Sequence, residues 1–175
     1  MTLPVPIELI VESTFGIVVL YDDIPEPPES LILGALFPRD MRIVINTKHQ
    51  DLLERVIGPE RFTLAHELAH WVYDAEDPNQ LALQLDEIKP TEQYCYDREA
   101  AGLSEDGRLR EMNANKLASH LLLPEQLVRA FDIDQVLDNF RATAHSWGVS
   151  QQMLRIRLET LGLIDDTDSD RLPDW

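Results

Sequence analysis

Residues 66 to 70 read His66-Glu67-Leu68-Ala69-His70, inside the run Arg61-Phe62-Thr63-Leu64-Ala65-His66-Glu67-Leu68-Ala69-His70-Trp71-Val72-Tyr73. Phe62, Leu64, Ala65, Leu68, Ala69 and Val72 are apolar, so this segment reads as a helix buried over much of its surface. Buried imidazoles and carboxylates require partners. At about 100° per residue, His66 and His70 fall roughly 40° apart on one helix face, where both rings can meet one cation. Glu67 then sits on the flank, placed to take a proton from water. Pro59 and Glu60 after Gly58 supply a helix start, and Asp77-Pro78 a stop.

A catalytic zinc normally takes three protein ligands and leaves one position open, which calls for one more His, Asp or Glu downstream. The second strongly helical stretch, roughly Arg108 to Leu123 and stopped by Pro124, offers Glu111. Glu111, Asn115 and Ala118 share one face of it. Glu111 can reach the metal while Asn115 hydrogen-bonds a ligand histidine, and small Ala114 and Ala118 permit close helix approach.

The two segments together, Arg61-Phe62-Thr63-Leu64-Ala65-His66-Glu67-Leu68-Ala69-His70 and Glu111-x-x-Ala114-Asn115-x-Leu117-Ala118-x-x-Leu121-Leu122-Leu123-Pro124, resemble the ImmA/IrrE family of bacterial and phage metallopeptidases. The resemblance implies an α+β, zincin-like minimal metallopeptidase fold with one Zn2+ per chain. It implies His66, His70 and Glu111 as the metal ligands and Glu67 as the general base. The implied substrate is a transcriptional repressor with a helix-turn-helix domain. Leu117 stands for the family's usual Phe, Leu123 for Met and Ala69 for Gly; none of these removes a metal-binding or proton-transferring atom.

The N-terminal half reads as a small antiparallel sheet placed before the zinc helix. Residues 4–15 form a short helix or an extended lead-in. Three β-branched or apolar runs follow as strands: Gly16 to Tyr21, Ile32 to Phe37 and Met41 to Asn46. Pro38-Arg39-Asp40 is short enough to make the last two a hairpin, whereas Ile24 to Ser30, with Pro25, Pro27 and Pro28, reads as a stiff loop. A sheet of this kind offers an edge to an extended substrate.

The segment from Asp74 to Gly107 is charged and irregular. It suggests a short helix over Leu81 to Ile88, then a flap or solvated loop over Lys89 to Glu99, with Tyr94 and Tyr96 as conceivable substrate or oxyanion contacts. Beyond Pro124, apolar Leu127, Phe131, Val136, Leu137 and Phe140 recur at helical intervals. Ala142 to Leu158 then reads as helix, Gly-containing turn and helix. Direct nucleic-acid binding is not expected of that tail, because only Arg141, Arg155 and Arg157 are basic there and Asp165, Asp166, Asp168, Asp170 and Asp174 follow.

Charge extends the point to the whole chain. Fifteen basic against 32 acidic side chains give a net charge of -17, which favours a basic protein partner such as a DNA-binding repressor. At 175 residues and 44% hydrophobic, the chain suffices for one domain: a catalytic core over 1–130, a helical subdomain over 131–164 and an acidic tail over 165–175. A single cysteine, no apolar run of membrane length, and a start without signal-peptide character suggest a cytoplasmic protein. His120, about 180° round the helix from Glu111, is a poor ligand. His49 and His145 read as surface or capping residues, with His145 a secondary option as a transition-state donor. Two functions stay open: a zinc endopeptidase specific for a regulatory protein, and a non-proteolytic zinc-binding module that acts on a repressor or toxin-like partner by association. Glu67, which a structural zinc site does not need, favours the enzyme.

Overall fold

The computed structural model describes residues 2–27, 31–55, 58–75, 89–92, 105–165, 168 and 171–173. The chain opens with α1 (Ile7–Phe15), closed by Gly16 in the left-handed region, and then runs through β1 (Val18–Asp22), β2 (Ile32–Phe37) and β3 (Arg42–Asn46). A 3-10 turn (Thr47–His49) leads into α2 (Gln50–Arg55) and α3 (Pro59–Ala75). A further strand, β4 (Lys89–Glu92), precedes α4 (Glu105–Leu122), α5 (Glu125–Val128), α6 (Ile133–Asp138), α7 (Phe140–Trp147) and α8 (Gln151–Thr160). The fold class is α+β, consistent with a minimal zincin-like arrangement.

The sheet order is β1-β3-β2-β4. The β2–β3 hairpin expected from Pro38-Arg39-Asp40 is present, with Ala35 opposite Val44 and Leu36 opposite Ile43. The sheet is nevertheless mixed, not wholly antiparallel, because β1 pairs in parallel with β3, Val19 opposite Ile43 and Leu20 opposite Val44. The proline-bearing connection after β1 carries the chain past β3 before β2 begins, so β1 lands on the far side of the hairpin with the direction of β3. Glu26 in that connection accepts from the backbone N–H of Ile32 and pairs with Lys48 and His49, which holds it over the end of the sheet. The side chain of Asn46 completes the anchor, accepting from Ile24 N–H and donating to the Ile32 carbonyl.

Where the sequence suggested a loop or flap, Lys89–Glu92 pairs antiparallel with β2 and takes the sheet edge. An edge position tolerates Pro90, which has no N–H to donate. The suggested helix over 81–88 and both Tyr94 and Tyr96 lie outside the described residues.

One face of the sheet and the buried face of α3 share a core. Ile43 and Ile45 from β3, Leu36 from β2, and Leu64 and Leu68 from α3 are at most 1% exposed. Truncating Leu64 or Leu68 to alanine would cost about 2–5 kcal/mol at such sites. Helices α3 and α4 pack through small residues, with Ala65, Ala69, Ala114 and Ala118 all fully buried. Phe140, Trp147, Leu154 and Leu158 from α7 and α8 belong to the same core cluster, as does Leu172 beyond them. The helix-turn-helix-like segment thus shares one core cluster with the sheet and α3.

Two positions tie α3 to the chain ends. Arg61 donates through Nε to the Gly148 carbonyl and through a terminal nitrogen to the Val5 carbonyl. Gly148 ends α7 with φ 68°, and a Cβ there would stand 2.7 Å from Arg61 Nε, so glycine is required both for the turn and for the approach of the guanidinium. No helix among the described residues is long and apolar enough to cross a membrane.

Candidate metal centre

The face of α3 that carries His66 and His70 looks onto α4, the helix with which it makes its most extensive packing. His66 is 1% exposed, Glu67 fully buried and His70 7% exposed. The two Nε2 atoms stand 3.0 Å apart, an approach that the four-residue spacing on one helix permits. From α4, Glu111 completes the group: its Oε2 lies 3.2 Å from His66 Nε2 and its Oε1 lies 3.3 Å from His70 Nε2.

Behind His66, Nδ1 donates to Asn115 Oδ1 at 2.9 Å. That bond fixes the tautomer. With the proton on Nδ1, the Nε2 lone pair is directed into the space shared with His70 and Glu111. Phe62, one turn earlier on α3, lies against the imidazole of His66 with ring centroids 5.9 Å apart.

The electrostatics match. Burial pushes His66 below the usual imidazole range and outweighs the opposing pull of Glu111, so the ring is neutral at physiological pH. Burial works to raise the Glu111 carboxyl, but its close pairing with the His66 and His70 rings outweighs it and holds the group below the usual carboxylate range. A neutral imidazole and a carboxylate anion converge with His70 on one point. Among the described residues, His66, His70 and Glu111 form the group of His, Cys, Asp or Glu side chains able to hold a metal ion, with one donor atom from each all within 4.8 Å of one another. Two imidazole nitrogens and a carboxylate oxygen, with an amide locking one ring from behind, form a donor set that fits a divalent transition metal.

The other histidines stand apart from this group. His120 is exposed on α4, His145 is exposed in the last turn of α7, and His49 pairs with Glu26 at the sheet end. One supporting residue escaped the sequence reading. Gly34 in β2 faces α3, and a Cβ there would meet Thr63 Cγ2 at 2.4 Å, so the sheet comes against the helix one turn before His66. A lone glycine between Leu33 and Ala35 within a strand is the signal that could have found it.

An α+β scaffold with a helix-borne histidine pair and a carboxylate from a neighbouring helix is compatible with a metallopeptidase centre. The chain belongs to peptidase family M78, the IrrE N-terminal-like domain, whose family model matches residues 12–159. The match agrees with the ImmA/IrrE resemblance of the two helical motifs, and membership implies a metallopeptidase acting on a protein substrate. No curated protein matches the chain in sequence.

Proposed function

We propose that this chain is a zinc-dependent endopeptidase that cleaves one regulatory protein, a helix-turn-helix transcriptional repressor, and so relieves repression. The observation that carries the reading is the convergence of His66 Nε2, His70 Nε2 and the Glu111 carboxylate, with Asn115 orienting His66. His66, His70 and Glu111 would hold the ion. A bound Zn2+ supplies Lewis acidity, polarising a scissile carbonyl and making water more acidic. Glu67, next to His66 on the same helix, takes the proton of the attacking water and returns it to the leaving amine. Asn115 keeps Nδ1 of His66 protonated throughout, so the ring keeps its orientation while charge moves at the centre.

The edge strand β4 contacts α3, which supports docking of the substrate in extended form beside the site. A net charge of -17 supports a basic partner, as a DNA-binding protein is, and steers its approach. The experiment pairs the purified protein with each helix-turn-helix regulator found to be encoded near it and follows cleavage by mass spectrometry. A single defined cut, lost in Glu67→Gln, is the expected result. Tight association without cleavage would replace this reading with that of a zinc-binding module acting by association on a repressor or a toxin-like partner.

A further inference from the structure

Side chains three, four and seven apart on a helix share a face. On α3 the face that begins with Phe62, His66 and His70 continues to Tyr73, seven residues after His66 and three after His70. At about 100° per residue, Tyr73 projects roughly 20° from His66, and its Cα lies about 4.5 Å further along the axis than that of His70. Long helical side chains lean toward the N-terminus and cover the preceding turn, which for Tyr73 is the turn that bears His70.

Exposure along this face is graded. His66 is 1% exposed, His70 7% and Tyr73 38%. Phe62, at the start of the face, is half-buried against His66, and Tyr73 is the most exposed of these four side chains. A tyrosine at such a place presents an O–H donor to whatever enters the centre from solvent. The structural alternative, an aromatic that fills the core, does not describe a residue of which more than a third remains in water.

We infer that Tyr73 is a substrate-contacting residue, its phenol donating a hydrogen bond to the oxygen of the peptide group held at the His66, His70 and Glu111 centre. The inference rests on the proposed peptidase reading. The proton stays on the phenol throughout. The contribution is electrostatic: a fixed donor aimed where negative charge gathers on the carbonyl oxygen.

Acetohydroxamic acid, a small chelator with a peptide-like carbonyl and an anionic oxygen, is the probe, because its binding does not depend on the substrate sequence. The full chain is loaded with Co2+, whose visible absorption reports both metal uptake and hydroxamate binding, and is compared with Tyr73→Phe and with Leu109→Ala as a surface control. The expected result is unchanged cobalt affinity in all three and hydroxamate binding weakened about tenfold in Tyr73→Phe alone, the size of one hydrogen bond to a charged acceptor. Equal hydroxamate affinity in wild type and Tyr73→Phe would overturn the role of Tyr73 while leaving the metal centre standing. Failure of the wild type to take up cobalt would overturn the peptidase reading and this inference together.

Discussion

Asn115 Oδ1 lies 2.9 Å from His66 Nδ1, on the side of the ring away from His70. The bond gives α4 a second hold on the centre besides Glu111. Partners of this kind govern ligand orientation, and their loss typically costs about 10–100-fold in metal affinity. Asn115→Leu should weaken zinc binding by about that factor, and Asn115→Asp, which keeps an acceptor, by less. Competition with a chromophoric chelator measures it; equal affinity in wild type and Asn115→Leu would remove Asn115 from the centre.

Ligand loss should be graded. His66→Ala combined with His70→Ala deletes both nitrogens and should abolish stoichiometric zinc, whereas Glu111→Gln keeps an oxygen in place and should retain weakened binding. Elemental analysis after dialysis decides. An unchanged zinc content in the double histidine variant would end the assignment.

Glu67→Gln should separate chemistry from structure. The substitution is nearly isosteric in a fully buried position, so fold, zinc and partner association should persist. Cleavage should fall by at least about two orders of magnitude, because the proposed general base is gone. Retained turnover would mean that another base serves.

The sheet-end anchor predicts an acid-sensitive contribution to stability. Hydrogen bonds from Lys48 and Ile32, joined by His49, hold Glu26 at about 2 against an ordinary value of 4.5. Because the folded-state value is depressed, this stabilisation is complete above pH 4.5 and is lost as pH falls toward 2. Glu26→Gln should therefore lower Tm at neutral pH, by an amount equivalent to about 1 kcal/mol, and the gap to wild type should close across that acid window. A gap constant from pH 7 to pH 3 would show that Glu26 acts through packing alone.

Gly34→Ala tests the approach of β2 to α3. The added Cβ would stand 2.4 Å from Thr63 Cγ2 and 3.2 Å from the Val44 carbonyl oxygen. Relief requires the buried Thr63 side chain to rotate or α3 to move, at a cost of about 1–3 kcal/mol. Since Thr63 lies one turn before His66, zinc affinity should fall along with thermal stability. A stable variant with native zinc affinity would show that the helix shifts without disturbing the centre.

The histidine pair was legible because both imidazoles and Glu67 lie within five consecutive residues, where helical periodicity alone fixes their relative direction. Glu111 and Asn115 were legible for the same reason on a second helix, although only the fold brings the two faces together. Strand β4 left no such mark: Lys89-Pro90-Thr91-Glu92 lacks apolar alternation and carries a proline that usually argues against a strand. Nor did the direction of β1 show, since parallel pairing with β3 is decided by where a proline-bearing connection crosses, while the apolar pattern of a strand is the same in either direction. Tyr73 closes the quoted run around the histidines with nothing in the sequence to assign it a role, and its exposure is visible only once the helix is packed.

Through Arg61, one guanidinium joins three parts of the chain that are remote in sequence: the backbone at Val5, the helix that bears both histidines, and the turn at Gly148. The alignment of α3 is therefore referenced to the outer segments of the chain as well as to the sheet beneath it. Trimming the first few residues, or lengthening the turn between α7 and α8, would loosen the seat of the histidine pair from outside without altering any group that touches a metal or a substrate.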